Sequence, residues 1–282
     1  MVAKTLFHLP IARYSKILWF MAIIITISSA VFQRLTGPTY PVIGKKHIDS
    51  SEVSYKLLRS ETVQKDAQVL LTAPDTTVYG FVRYKRFKSY DEWSTIPLKR
   101  ENEILFAFLP EQPPAGKLMY TVYLTKGAKE ISLTDNETII LRYKGNVPAG
   151  ILIPHIIFMF MAMLFSNRAA LETLDAKGKA KKYMYWTISM FFIGGFILGP
   201  LVQKFAFGSF WEGIPFGYDL TDNKTLIGML GWIWAWWKNR KDSYKRGWIL
   251  FASLLMLVVY LIPHSLLGSE IDYTRVSPPG EN

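Results

Sequence analysis

Five long apolar runs limit what this chain can fold into. They cover residues 17–33, 150–166, 184–202, 225–237 and 247–267. A helix of about 20 apolar residues is long enough to cross a bilayer, and half of all residues in the chain are hydrophobic. The runs therefore predict an integral membrane protein whose core is an α-helical bundle of five spans.

Two of these runs leave an alternative open. The first passes Ser28, Ser29 and Ala30, whose small side chains would suit signal-peptide cleavage, although the apolar core of a signal peptide is only about 7 to 15 residues long. The fourth run is short for a span and could form a re-entrant hairpin. We expect it to cross the membrane, because a strongly basic stretch follows it.

Lysines and arginines give the chain a formal net charge of +11, and they concentrate in short stretches beside the apolar runs. The two strongest stretches contain Arg168, Lys177, Lys179, Lys181 and Lys182, and then Lys238, Arg240, Lys241, Lys245 and Arg246. Such stretches stay on the cytoplasmic side of a membrane. We therefore expect a bacterial inner-membrane protein with its amino end inside and its carboxyl end outside, and a lipid bilayer rather than nucleic acid as its partner.

Residues 34–149 contain no apolar run of membrane length. Apolar and polar residues alternate instead in five segments, which are residues 67–72, 77–87, 103–109, 118–124 and 137–143. Turn-forming residues separate these segments, as at Pro113–Gly116 and Thr134–Asn136. Short strands at this spacing predict an antiparallel β-sandwich, which the preceding helix would place outside the cytoplasm.

One part of this domain resembles a known fold. Residues 113–124, PPAGKLMYTVYL, resemble the turn and penultimate strand of fibronectin type III and immunoglobulin-like domains, with Tyr120, Val122 and Leu124 pointing inward. The resemblance covers this domain only, and it implies a binding, spacing or bracing role without chemistry. The predicted organisation is a cytoplasmic end and first helix in residues 1–33, the sandwich in 34–149, four helices in 150–267 and an extracytoplasmic tail in 268–282.

Residues 203–224, QKFAFGSFWEGIPFGYDLTDNK, join the third and fourth runs and combine many aromatic residues with glycine and proline. Such a segment can neither continue a helix nor behave as a flexible linker. We expect it to fold on the extracytoplasmic surface with its rings buried against the bundle. Its polar residues, with Glu270 and Asp272, are candidates for a small cation or substrate site: Gln203, Lys204, Trp211, Glu212, Asp219, Asp222 and Asn223. The alternative is a solvated loop in which Asp222 or Thr221 only caps the next helix.

Two histidines lie near the predicted outer ends of helices. His155 is close to the start of the second run and His264 is close to the end of the fifth, and each follows a proline. Imidazole can bind both the iron of a b-type haem and other metal ions. His155 and His264 are therefore a candidate cofactor-binding pair. The alternative is that each histidine bonds a nearby backbone carbonyl or loop.

Several functional classes are disfavoured by the sequence. With no cysteine, the chain forms no disulfide, thiolate metal site or covalently attached haem. Phosphate-loop, nucleophile-elbow, zinc-protease and dinucleotide motifs are missing. The apolar runs hold almost no ionisable residue, which disfavours an ion-coupled transporter. The leading hypothesis is a non-enzymatic scaffold or accessory subunit of a cell-envelope complex, which contacts other membrane proteins. The alternative is a redox protein that uses haem or a metal.

Overall fold

The computed structural model describes residues 14–175, 178–240, 244–263 and 268–275. The chain divides into two compact units. A helical unit takes in residues 1–37, 147–205 and 209–268, whereas a β unit takes in residues 38–146, 206–208 and 269–282.

The helical unit is built from six α-helices in the described part of the chain. Their bounds are α1 Ser15–Thr36, α2 Ala149–Glu172, α3 Ala180–Phe192, α4 Gly199–Phe207, α5 Leu220–Asn239 and α6 Arg246–Leu261. A π-helical segment, Ile193–Leu198, joins α3 to α4. Residues Ala180–Phe207 therefore form one continuous helix.

Three of these helices are long and apolar enough to cross a membrane, namely α1, α2 and the continuous helix Ala180–Phe207. The helix α6 is apolar but has only 16 residues. The helix α5 has 20 residues, but its first turn is polar. Apolar helices of membrane length are therefore confirmed, but the described residues contain three candidate spans rather than the predicted five.

Small residues let the helices of this unit approach closely. A Cβ atom at Gly195 would lie 3.0 Å from Thr225 Cγ2 on α5, and one at Gly231 would lie 2.7 Å from Leu255 Cδ2 on α6. Larger side chains fill the space between the helices, and the indole of Trp232 is fully buried with its Nε1 atom 3.1 Å from Met256 Sδ. Close packing of glycine against side chains therefore holds α5 between its neighbours.

A buried ion pair lies near the end of α2. Arg168 is only 2% exposed, its guanidinium pairs with Glu172, and it lies 4.7 Å from the ring centroid of Tyr183. Arg168 was predicted to lie in a cytoplasmic connector, but α2 continues to Glu172 and carries both charges into the packed unit. The helix therefore extends beyond the apolar run that ends at Ser166.

The β unit contains eleven strands in the described part of the chain. They are β1 Val42–Ile48, β2 Ser51–Leu57, β3 Ser60–Thr62, β4 Ala67–Thr72, β5 Tyr79–Arg86, β6 Ser94–Pro97, β7 Lys99–Glu101, β8 Ile104–Leu109, β9 Lys117–Lys126, β10 Lys129–Ser132 and β11 Ile139–Lys144. One sheet has the order β1-β2-β4-β8-β7, and the other has the order β3-β11-β9-β5-β6 with β10 paired to β9. The pairs are antiparallel except for β3, which runs parallel to β11.

Alternating side chains from both sheets form one hydrophobic core. Val69 and Leu71 of β4 are buried in it together with Tyr120, Val122 and Leu124 of β9. The five predicted strands correspond to β4, β5, β8, β9 and β11, and the inward direction of the β9 residues is confirmed. A sandwich-like β region is therefore confirmed, whereas the more specific likeness to fibronectin type III domains stays a prediction.

Two short segments from later in the chain belong to the β unit. In the first, residues 206–208, the carbonyl of Ala206 accepts a hydrogen bond from the Gly145 N–H at 2.8 Å. The ring centroid of Phe207 lies 5.4 Å from the guanidinium of Arg142. These contacts tie the segment to the end of β11.

The second segment follows α6 and is held to the β unit by ion pairs of Glu270. Glu270 forms ion pairs with Lys117 and Lys88, and Lys117 is almost fully buried. Burial alone would raise the pKa of Glu270, but the hydrogen bonds from Lys117 and Lys88 outweigh it and lower that pKa. Burial and the nearby Arg142 lower the pKa of Lys117. The carboxylate of Glu270 therefore compensates a cluster of cations within the β unit.

Candidate functional site: the loop between α4 and α5

Asp222, in the first turn of α5, organises the loop of residues 208–219, called here the α4–α5 loop. Its Oδ2 atom accepts hydrogen bonds from the backbone N–H groups of Glu212 at 2.6 Å and Gly213 at 3.1 Å. It also accepts one from Nε2 of Gln203 at 3.1 Å. A carboxylate that accepts three donors fixes the loop to both flanking helices.

Two neighbouring side chains extend this network. Asn223 Oδ1 accepts the Ile214 N–H at 2.7 Å. Asp219 Oδ1 accepts the N–H groups of Thr221 and Asp222 at 2.8 and 3.1 Å, so Asp219 is the N-cap of α5. The suggestion that Asp222 or Thr221 is the cap is therefore wrong. Asp222 instead uses its side chain to hold the preceding loop.

The glycines explain how the loop can approach these side chains. A Cβ atom at Gly213 would lie 2.6 Å from Asp222 Cβ, and one at Gly217 would lie 2.4 Å from the Glu212 carbonyl oxygen. Neither distance is compatible with a side chain larger than hydrogen. Both glycines are therefore required for the close turn around Asp222.

The aromatic residues of the loop divide into packed and exposed groups. Trp211 stacks on Phe196 with the ring centroids 5.8 Å apart, and its Nε1–H donates to the Ile214 carbonyl at 3.2 Å. In contrast, Phe216 is 82% exposed and Tyr218 is 90% exposed. The expectation that the rings are buried against the bundle is wrong for these two residues.

The remaining candidates take different positions. Lys204 lies with its ammonium 5.4 Å from the ring centroid of Phe210, and Glu212 Oε1 accepts a hydrogen bond from Ser209 at 2.5 Å. Glu270 and Asp272 belong to the β unit. Among the residues that the structure describes, no three His, Cys, Asp or Glu side chains are grouped so that they could hold a metal ion.

His155 lies in the second turn of α2, which begins at Ala149. Its Nδ1 atom is 3.0 Å from the carbonyl oxygen of Gly194, which is in the π-helical segment. A carbonyl accepts only, so Nδ1 carries the proton and Nε2 is left as the potential ligand atom. The second candidate of the pair, His264, lies outside the described residues.

Lys224 also belongs to this region, although it was not among the predicted site residues. It is buried, and its Nζ atom donates to the Ile262 carbonyl at 2.6 Å, directly after the end of α6. A cation at this position stabilises unpaired carbonyls at a helix C-terminus. The only hint in the sequence is a lysine next to an apolar run. Lys224 also lines a cavity of about 30 Å³ with Thr225 and Met256, which is large enough for one water molecule.

The geometry as a whole is that of a fixed loop with exposed rings. Asp222 uses its carboxylate for backbone donors, and Glu212 and Asp219 also have local hydrogen-bond partners. The arrangement therefore positions Phe216 and Tyr218 rather than a pair of acid and base groups. No protein-family model, no curated protein and no solved structure matches this chain.

Proposed function

We propose that this chain is a non-enzymatic accessory protein of the bacterial inner membrane, which uses the α4–α5 loop to dock another protein of the cell envelope. The observation that carries the proposal is the exposure of Phe216 and Tyr218 on a loop whose backbone is fixed by Asp222 and Asn223. Exposed aromatic residues on a preorganised surface are typical of binding hot spots. The β unit would act as a second binding or spacing element.

The proposal includes the five-span topology. The length of α5 corresponds to about 30 Å at 1.5 Å per residue, which is close to the thickness of a bilayer core. Exposed tryptophans near its end, Trp234, Trp236 and Trp237, suit a membrane interface. With the basic stretches inside, the amino end would be cytoplasmic, and the β unit, the α4–α5 loop and the carboxyl end would face outward.

A photo-crosslinking amino acid at Tyr218 is expected to capture one recurrent envelope protein in intact cells. The alanine substitutions Phe216→Ala and Tyr218→Ala should each reduce co-purification of that protein by about 30-fold, because a hot-spot residue contributes about 2 kcal/mol. Recovery of the crosslinked pair, measured by mass spectrometry, tests the proposal. Since the chain has no cysteine, labelling of Tyr218→Cys by a membrane-impermeant maleimide reports its side of the membrane.

Tyr90 provides a matched control because it is an equally exposed aromatic residue, at 86%, but lies in the β unit. The same probe at Tyr90 should not capture the same partner, and Tyr90→Ala should leave co-purification unchanged. Capture of lipid alone by the Tyr218 probe would contradict protein docking. Equal losses from Tyr90→Ala and Tyr218→Ala would contradict the role of the loop.

A second candidate function is a redox or metal-binding membrane protein that uses His155 and His264. The bond from Nδ1 of His155 to the Gly194 carbonyl favours it, because metal-binding histidines commonly donate their other ring N–H to such an acceptor. This function predicts a haem absorption band that shifts on reduction with dithionite, or a bound metal in elemental analysis. The His155→Ala substitution should then remove the band or the metal, while Met159→Leu on the same helix should not.

A further inference from the structure

Lys238, near the end of α5, is surrounded by indole rings. Its ammonium lies 4.9 Å from the ring centroid of Trp234, 4.5 Å from that of Trp237 and 5.8 Å from that of Trp248 on α6. These distances are within the range of cation–π attraction. No carboxylate in the described part of the chain forms an ion pair with Lys238. Its positive charge is therefore stabilised by aromatic faces and stays available to an anion.

Trp248 links this lysine to a groove at the start of α6. The groove has a volume of about 510 Å³ and is lined by Tyr244, Lys245, Arg246, Gly247, Trp248 and Phe251. The first turn of α6 has no acidic residue and no side-chain cap. Unpaired N–H groups at the start of a helix attract an anion, and the two basic side chains add to that attraction.

The local charge is strongly positive. Four basic residues, Lys238, Arg240, Lys245 and Arg246, lie in the described residues at the end of α5 and the start of α6. The guanidinium of Arg246 donates to the Thr173 carbonyl at 3.3 Å, which orients it without neutralising it. An anionic ligand would be attracted to these basic side chains.

The neighbouring surface indicates what kind of anion fits. Phe251, Leu254 and Val258 are exposed apolar residues that follow Trp248 along α6. Their spacing of three or four residues places them along one side of the helix. A free phosphate ion would gain nothing from this surface, whereas the acyl chains of a lipid would cover it.

We propose that the groove at Lys245, Arg246 and Trp248, together with Lys238 on the other side of Trp248, binds the phosphate headgroup of an anionic phospholipid, with the acyl chains along α6. The indoles would lie at the headgroup level, as is usual for tryptophan in membranes. This site would be separate from the α4–α5 loop. It would select one class of lipid rather than a protein partner.

The test uses the full chain in phosphatidylcholine nanodiscs that contain increasing amounts of brominated phosphatidylglycerol or brominated phosphatidylcholine. Bromine quenches tryptophan fluorescence at short range, so the anionic lipid should quench at a lower mole fraction than the neutral one. The double substitution Lys238→Gln and Arg246→Gln should weaken this preference by about fivefold for each charge removed. Trp248→Phe should remove part of the quenched signal.

The matched control is the double substitution Lys179→Gln and Lys182→Gln, which removes two charges near the start of α3. It should keep the preference for the anionic lipid. Equal quenching by both lipids in the unmodified protein would overturn the proposal, as would an equal loss in the control variant. Loss of the preference on adding excess inorganic phosphate would assign the groove to free phosphate. If the double variant does not fold, Lys245→Gln alone should still show a loss of about fivefold.

Discussion

Replacing Asp222 with alanine is expected to release the α4–α5 loop from the helices that flank it. The backbone N–H groups of Glu212 and Gly213 would lose their shared acceptor, and Gln203 would lose its partner. A hydrogen bond to a charged group contributes about 1.5 to 3 kcal/mol, and a buried donor without a partner adds a further cost. The free energy of local opening should fall by about 3 kcal/mol, measured by hydrogen exchange at the Glu212 and Gly213 amides.

Two variants separate this effect from helix capping. Asp222→Asn keeps one acceptor oxygen, so the exchange rates should rise much less than in Asp222→Ala. Asp219→Ala removes the N-cap of α5 and should cost about 1 kcal/mol without opening the turn at Gly213. Unchanged exchange at Glu212 and Gly213 in Asp222→Ala would show that the carboxylate does not hold the loop.

Replacing Glu270 with alanine is expected to destabilise the β unit by about 3 kcal/mol, because removal of one partner leaves a buried charge uncompensated. Lys117 has a side chain that is only 7% exposed, and its counterion would be gone. The nearby Arg142 would then add repulsion. Thermal unfolding followed by circular dichroism in the β-structure region would measure the loss.

Acidification should also destabilise the β unit, because the pKa of Glu270 is lowered in the folded state. A carboxyl group whose pKa is lower in the folded state stabilises the fold above its unfolded pKa, which is about 4.3. This stabilising contribution is lost as the pH falls through the pKa that the carboxyl group has in the folded state. The Glu270→Ala variant should therefore lose less stability than the unmodified protein between about pH 5 and pH 3.

Glu52 gives a suitable comparison for this ion pair. It pairs with Lys45 on the surface of the β unit, where both side chains are well exposed. Such pairs contribute about 0 to 1 kcal/mol, so Glu52→Ala should be nearly neutral. If Glu52→Ala and Glu270→Ala have equal effects, burial of Lys117 is not the cause of the destabilisation.

The period of the sequence predicted five of the eleven described strands, whereas the seven-residue strands β1 and β2 were among those missed. Alternation in residues 67–72 corresponds to β4, and the long apolar runs correspond to helices. Short strands such as β3 and β7 were missed, because three residues are too few to show a period. Polar ends of helices were also missed. Arg168 and Glu172 continue α2 because they pair with each other and pack on aromatic rings, which a hydropathy pattern does not register.

In the candidate site, too, local residue types could be interpreted from the sequence, whereas contacts between distant residues could not. Glycine, proline and aromatic residues in 203–224 predicted a folded connector, but the observed loop is shorter, because α4 continues to Phe207 and α5 already begins at Leu220. The partner of each polar side chain depends on contacts between residues up to nineteen positions apart, as for Gln203 and Asp222. Exposure of Phe216 and Tyr218 was the opposite of the prediction, because hydrogen bonds to the loop backbone, rather than burial of these two rings, hold the loop in place.

The β unit contains residues from three separate parts of the chain, so it is completed only late in synthesis. Residues 38–146 leave the ribosome well before residues 206–208 and the segment around Glu270, which belong to the same unit. Lys117 therefore has no counterion until synthesis has passed Glu270 and the segment that carries it has reached the same compartment. A chain that stops before Glu270 would leave Lys117 without its counterion and would expose an incomplete β unit to proteases. Completion of the β unit therefore depends on the segment that follows α6.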